Sequence, residues 1–467
     1  MDNALKQYTD LYRQHAATVC GKSAAPLNGA RAAALEALSD ARLPRAGQDG
    51  YMHTDLNAMF APDYGVNITR LGFRADAREA FRCGVPGVSA LTGIVANDFF
   101  SPADALARHA PDGLTVCSFS DAAARCPGVL EKYYNTVASP QQAANAAVAL
   151  NTLLVQEGVL VHVARGVKVT NPVQLIAVLG GVTMPMLAFR RLLVVMEEDS
   201  ALNLLLCDHA SGAKAADGSD VPTATDSVIE VCLERDAHLS LCSMEENAAT
   251  TSRYCFTGVA QAHGSHFDGN VSTLRCGHTR NDLRVSLDGE HADCRLYGMT
   301  IAGGDQHADN ATIILHNAPR CHSDQLFKYV AEGDSRCAFE GLIRVGAGAH
   351  HTEAYQNNRN MLASRGARMH TRPQLEIYCD DVRANHGAAT GQLDNDALFY
   401  MQTRGIPREQ ARTMLMQAFM SDVIDSMSPA PLRERMRQLV SRRLGNPGDD
   451  GALCATCGTA NDGPDAL

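Results

Sequence analysis

From about Leu154 to Gln392 the chain offers short β-branched or aliphatic runs separated by Gly, Asp or Asn, with no long helical stretch among them. Val159–Val163, Gln174–Val178, Leu192–Met196, Ala201–Cys207, Ser227–Cys232 and His238–Ser243 open the series. Thr273–Leu274, Leu283–Leu287, Cys294–Tyr297, Thr312–Leu315, Ser335–Phe339, Gly341–Val345 and Leu375–Tyr378 continue it. Runs of this length and composition read as strands. Parallel strands built from βαβ units need crossover helices, so this span excludes a doubly wound sheet. An antiparallel sandwich or barrel and a parallel β-helix both remain. The hairpin dipeptides Asp112-Gly113, Asp217-Gly218, Asp268-Gly269 and Asp288-Gly289 are too few to close so many hairpins. Short strands between polar, irregular segments suit the coils of a solenoid, although no strict sequence period is visible.

The flanks read differently. Ala4–Ala17 and Ala30–Arg42 carry apolar residues at helical spacing, punctuated by Asn28-Gly29 and Pro44, and Gln141–Leu153 is helical again. Beyond Gln392, Asp394–Thr403 is a short helix starting at an Asp cap, and Gly405-Ile406-Pro407 breaks it. Pro407 opens a second helix, on which Ala411, Leu415, Phe419, Val423 and Met427 form one apolar stripe. Leu432–Leu444 is a third, with Arg437, Arg442 and Arg443 toward the end where the helix dipole favours cations. The expected division is a helical domain over 1–153, a strand-rich core over 154–392, a helical domain over 393–445 and a mobile tail over 446–467.

Composition excludes several functions. Of 467 residues, 45% are hydrophobic and 20% charged, which is globular. The net charge of −11 argues against nucleic acid as a partner. Trp is absent and aromatics are 5%, so base-stacking platforms and sugar subsites are poorly supplied. Val173–Phe189 is greasy but broken by Gly180, Gly181 and Pro185, so no membrane span is expected. The polar start Met1–Gln7 does not read as a secretory signal. The 15 cysteines are odd in number and scattered, which fits a reducing cytoplasm.

Several motifs invite chemistry and then lack its context. Ala16–Ser23 fits a relaxed phosphate-loop pattern, but a helix precedes it and it contains one Gly, so a helix end at Gly21 is the expectation. Cys454 and Cys457 have the spacing of a zinc or redox pair but sit in the tail without a second pair. Cys255, His263, His266, Cys276, His278, Cys321, His322, His350, His351, Cys379 and His386 cluster along the chain. Their spacing completes no four-ligand set.

The most distinctive stretch is Leu375-Glu-Ile-Tyr-Cys-Asp-Asp-Val-Arg-Ala-Asn-His386-Gly-Ala-Ala-Thr-Gly-Gln-Leu-Asp394, running into Asp396–Met401 and Gly405. Leu287–Glu290, Leu296–Gly298, Gly304–Asn310 and Ala354–Asn360 accompany it upstream. As a set these resemble the SufB/SufD family of iron–sulfur cluster assembly proteins, more closely its SufD branch. The resemblance implies a right-handed parallel β-helix between two helical domains, and a non-catalytic scaffold subunit in the cytoplasm. It implies pairing with a SufB-like chain through the β-helix ends, and docking of a SufC-like ATPase. The stripe Ala411, Leu415, Phe419, Val423 and Met427 is the expected ATPase-docking face, with packing on the β-helix as the structural alternative. No cofactor is expected to be bound stably by this chain alone. A transient iron–sulfur cluster at the SufB–SufD interface and a reduced flavin in the complex are what the resemblance adds.

His386 matches the family histidine at that interface, where an imidazole can ligate iron or move protons. Family members often carry Cys two residues earlier, where this chain has Ala384. Cys379, seven residues from His386 and of opposite strand parity, reads as a poor substitute. Two further readings stand beside this one. A β-helix carbohydrate-active enzyme would draw a carboxylate pair from Asp380, Asp381, Asp394 and Asp396. A homodimer of the isolated chain would serve storage or iron handling.

Overall fold

The computed structural model describes residues 3–445 except 71–84, 86–87, 144, 181–182, 211–212 and 216. The proposed tail and its Cys454–Cys457 pair therefore lie outside the described residues.

Successive strands alternate between two sheets, one of ten strands and one of nine. Asp293–Ala302 lies in the first, His307–His316 in the second and His322–Ala331 in the first again. Asp293 pairs with His322 and His322 with Glu353, so one coil takes up roughly thirty residues. Neighbouring strands run parallel along both sheets except for one antiparallel pair at the N-terminal end of each, giving a parallel β-solenoid of about 8 turns. The β-helix is thus the fold, and the antiparallel sandwich is excluded. Asp268-Gly269 is no hairpin, because it lies inside strand His266–Arg275 with Gly269 against Phe267 and Leu296. Asp217-Gly218 does turn a small hairpin, between Ala213–Lys214 and Asp220–Val221.

The coil repeat shows most plainly at one corner. Asp199, Asp236, Gly264, His291, Arg320 and His351 all have left-handed backbone, with φ from 54° to 64°. Each donates its N–H to a carbonyl one coil on, from Asp199 to Arg235 at 2.9 Å through to His351 to Asp381 at 2.7 Å. Only one of the six is Gly, so the corner repeats in conformation and hydrogen bonding but not in residue type.

Alternate strand residues fill the lumen. Leu192, Val194, Leu204, Leu241, Leu296, Phe327 and Phe339 belong to this central cluster. The outer faces are covered separately. The early nine-stranded sheet packs Phe189, Leu193, Val195 and Phe256 against the helices Asn3–Gly21, Ala25–Ser39 and Ala146–Leu154. The ten-stranded sheet packs Ile176, Met244, Met299 and Val330 against the helices Arg408–Asp425 and Ala430–Gly445. The expected division at 153/154 is crossed by strand. Leu91–Ala96 pairs parallel with Val173–Leu179, and Leu114–Ser118 pairs antiparallel with Val159–Val163.

Candidate functional site

The last coil consists of Arg368–Ile377 and Val382–Gln392. Each is the terminal strand of its sheet and pairs on one side only, with Arg336–Val345 and Thr352–Leu362 respectively. Two adjacent edges thus leave backbone N–H and C=O groups without strand partners, the geometry to which another chain can add. Local bonds hold the edges in place. Arg383 reaches Glu353 at 3.2 Å, Asn360 donates to Thr390 at 3.1 Å, and Arg372 pairs with Asp49 of the N-terminal segment at 2.7 Å. Asp394 closes the coil, accepting from the N–H groups of Asp396 and Ala397 at the start of helix Asn395–Thr403.

His386 is exposed on this terminal strand, in register with Gln356. The same ladder descends through Gln325 and Leu296 to Gly269 and Leu241, so His386 stands on the lumen side at its mouth. Ala384 continues the neighbouring lumen ladder from Ala354 and Ser323. On the opposite wall Thr371 and Pro373 follow the buried Phe339 and Gly341. Beneath His386 the lumen turns polar. Both amide atoms of Gln356 and of Gln325, and the hydroxyl of Thr371, are buried with no hydrogen-bond partner among the described residues. Sequence reading missed the two glutamines, because their strands look too polar for a core and only the register places them inside. An imidazole at an open lumen end can donate, accept or ligate toward whatever closes that end.

The remaining candidates scatter. Ala411, Val423 and Met427 are buried, the last two in the cluster that joins this helix to the solenoid, while Leu415 and Phe419 are half-buried. Lys328 Nζ anchors that helix, 2.8 Å from the Phe419 carbonyl and 2.5 Å from Asp422. The large apolar side chains left exposed in this region are Phe399, Tyr400 and Met414. The Ala16–Ser23 stretch forms no phosphate loop, since helix Asn3–Gly21 runs through most of it. Of the four candidate carboxylates, Asp394 is occupied as a cap and Asp381 pairs with His351 at 2.8 Å. The His278 and His307 rings lie 4.3 Å apart, tilted at 42°, and burial, with His278 next, pushes His307 down to about 4. Cys379 Sγ meets His350 Nδ1 at 3.2 Å. No group of three His, Cys, Asp or Glu among the described residues converges to hold a metal. No described helix is long and apolar enough to cross a membrane.

Residues 179–419 match the family described as SUF system FeS cluster assembly, SufBD core domain, and residues 2–175 match the SufBD protein N-terminal region. The chain belongs to the SufBD family. A SufBD family iron–sulfur cluster assembly protein of Synechocystis sp. is 27% identical over 91% of this chain and 93% of its own. The iron–sulfur cluster assembly protein SufD of Escherichia coli is 32% identical over 35% of this chain and 39% of its own. The chloroplastic protein ABCI7 of Arabidopsis thaliana is 32% identical over 47% and 46%. The SufBD core match spans the solenoid from Leu179 through the terminal coil and into helix Arg408–Asp425, so His386 lies within it. The chain is a SufD-like protein of the Suf iron–sulfur assembly system.

Proposed function

We propose that this chain is a non-catalytic, cytoplasmic scaffold subunit that meets a SufB-like chain through its open solenoid end. The observation that carries this is the pair of one-sided edge strands with His386 exposed between the lumen and its mouth. The cluster is cargo, assembled where the two chains meet, and His386 supplies a borderline nitrogen ligand or a proton there. The partner supplies the thiolate beside His386, because Ala384 has none to offer there. A SufC-like ATPase docks on the C-terminal helices. Since Ala411, Val423 and Met427 are already buried, its footprint draws on Leu415 and Phe419 together with the exposed Phe399, Tyr400 and Met414. A reduced flavin would be a guest of the assembled complex.

Co-expression with SufB-like and SufC-like chains tests the reading. A ternary complex is expected on size exclusion, with ATPase loss but SufB retention in a Phe399→Glu, Tyr400→Glu variant. Well-folded partners that elute apart from this chain would sink it.

A further inference from the structure

The turn between the last two strands holds a thiol against an imidazole. Cys379 lies between Ile377 and Val382, outside either strand, so strand parity does not govern where its sulfur points. The sulfur lies 3.2 Å from Nδ1 of His350, which sits at the neighbouring corner one coil earlier. His350 is exposed while Cys379 is 7% exposed, so the pair bridges the lumen core and the surface. The nearby carboxylate of Asp381 is engaged by His351 at 2.8 Å.

Other described cysteines are placed differently. Cys321 directs its sulfur to the Gly289 carbonyl at 3.2 Å and Cys276 to that of His307 at 3.6 Å. A carbonyl can only accept, so those contacts favour the protonated thiol. Burial holds the thiols of Cys232, Cys242 and Cys337 up at about 12. An imidazole can instead take the proton and leave a thiolate, the form that attacks.

We propose that Cys379 and His350 form an activated thiol pair at the open solenoid end that accepts sulfur from the S–S bond of a persulfide or polysulfide. The thiolate of Cys379 attacks the terminal sulfur of the donor. The donor S–S bond breaks as the new Cys379 S–S bond forms, and the donor leaves as a thiolate protonated by the His350 imidazolium. One sulfane sulfur changes carrier with no external oxidant or reductant. The sulfur's onward use rests on the assembly function proposed above, whereas the reactivity belongs to this chain alone.

The test uses the full isolated chain. Limiting iodoacetamide followed by peptide mapping should label Cys379 about tenfold faster than Cys276, Cys294, Cys321 and Cys337. His350→Gln should abolish that advantage, and inorganic polysulfide should add one sulfur to the Cys379 peptide of the unaltered chain. Labelling at the rate of the other cysteines would overturn the proposal, as would fast labelling without sulfur uptake. Because the relative labelling rate and the sulfur uptake are read on the unaltered chain, a misfolded variant does not decide the matter. Failure to bind a SufB-like partner would leave this result untouched, so the two readings fail separately.

Discussion

Gln356 and His386 are register partners on the last two rungs of one lumen ladder, yet Gln356 is fully buried and His386 is exposed. The difference is position alone, since no further strand covers the terminal rung among the described residues. The same ladder that specifies a core five rungs down is open to solvent where it stops.

His386→Ala removes one side chain at that mouth and no core contact. The SufB–SufC complex is expected to assemble as before, with severalfold less cluster formed. Visible iron–sulfur absorption after reconstitution measures this, and unchanged absorption would count against the residue.

Acid should weaken the solenoid through His307 and His316, both pushed down to about 4, chiefly by burial. Their folded values lie below the unfolded 6.5, so the stability they support is complete above that pH. It is lost as pH falls from 6.5 toward 4, up to about 3 kcal/mol for each. His316 donates or accepts only through Nε2, to Ser323 at 2.8 Å. His316→Gln should flatten this limb of a urea-midpoint titration, and a limb of unchanged slope would contradict the assignment.

The opposite sign applies to Asp226. It is buried under the N-terminal helices, one carboxylate oxygen has no partner among the described residues, and burial raises its pKa well above the usual range. A raised carboxyl supports stability below its unfolded pKa and loses it as pH rises through the folded value. Asp226→Asn should therefore stabilise the chain at neutral pH by about 1–3 kcal/mol. Thermal melts at pH 5 and pH 8 check this, with the larger gain expected at pH 8.

Much of this fold was legible in sequence and some was not, for physical reasons. Val159–Val163 is legible with its true ends because four of its five residues are aliphatic. Thr352–Leu362 was missed because its centre, Gln356–Asn360, is amide-rich, and those amides serve ladders visible only in register. The coil period was hidden because turn lengths vary and the left-handed corner accepts Asp, His and Arg as well as Gly. His386 was found by its motif rather than by spacing. The Cys379–His350 contact could not be found at all, since it joins residues one coil apart through a turn that strand alternation does not describe.

Lumen packing gives a plain stability test. Phe327 and Phe339 come from facing sheets, with ring centroids 4.8 Å apart and both side chains buried. Gly298 makes the room, since a Cβ there would lie 2.3 Å from the Phe327 ring. Phe327→Ala should cost about 3–5 kcal/mol by leaving a cavity. A denaturation midpoint within error of the parent would show that the lumen can collapse around the gap.

The central claim is that the terminal coil is the surface where a SufB-like chain joins. Backbone hydrogen–deuterium exchange tests it most directly, comparing the chain alone, at a concentration where it sediments as a monomer, with the purified complex. Amides within Arg368–Ile377 and Val382–Gln392 should exchange at least about tenfold more slowly in the complex, as new strand partners cover them. A complex in which those amides exchange as fast as in the free chain, with protection elsewhere, would contradict the account.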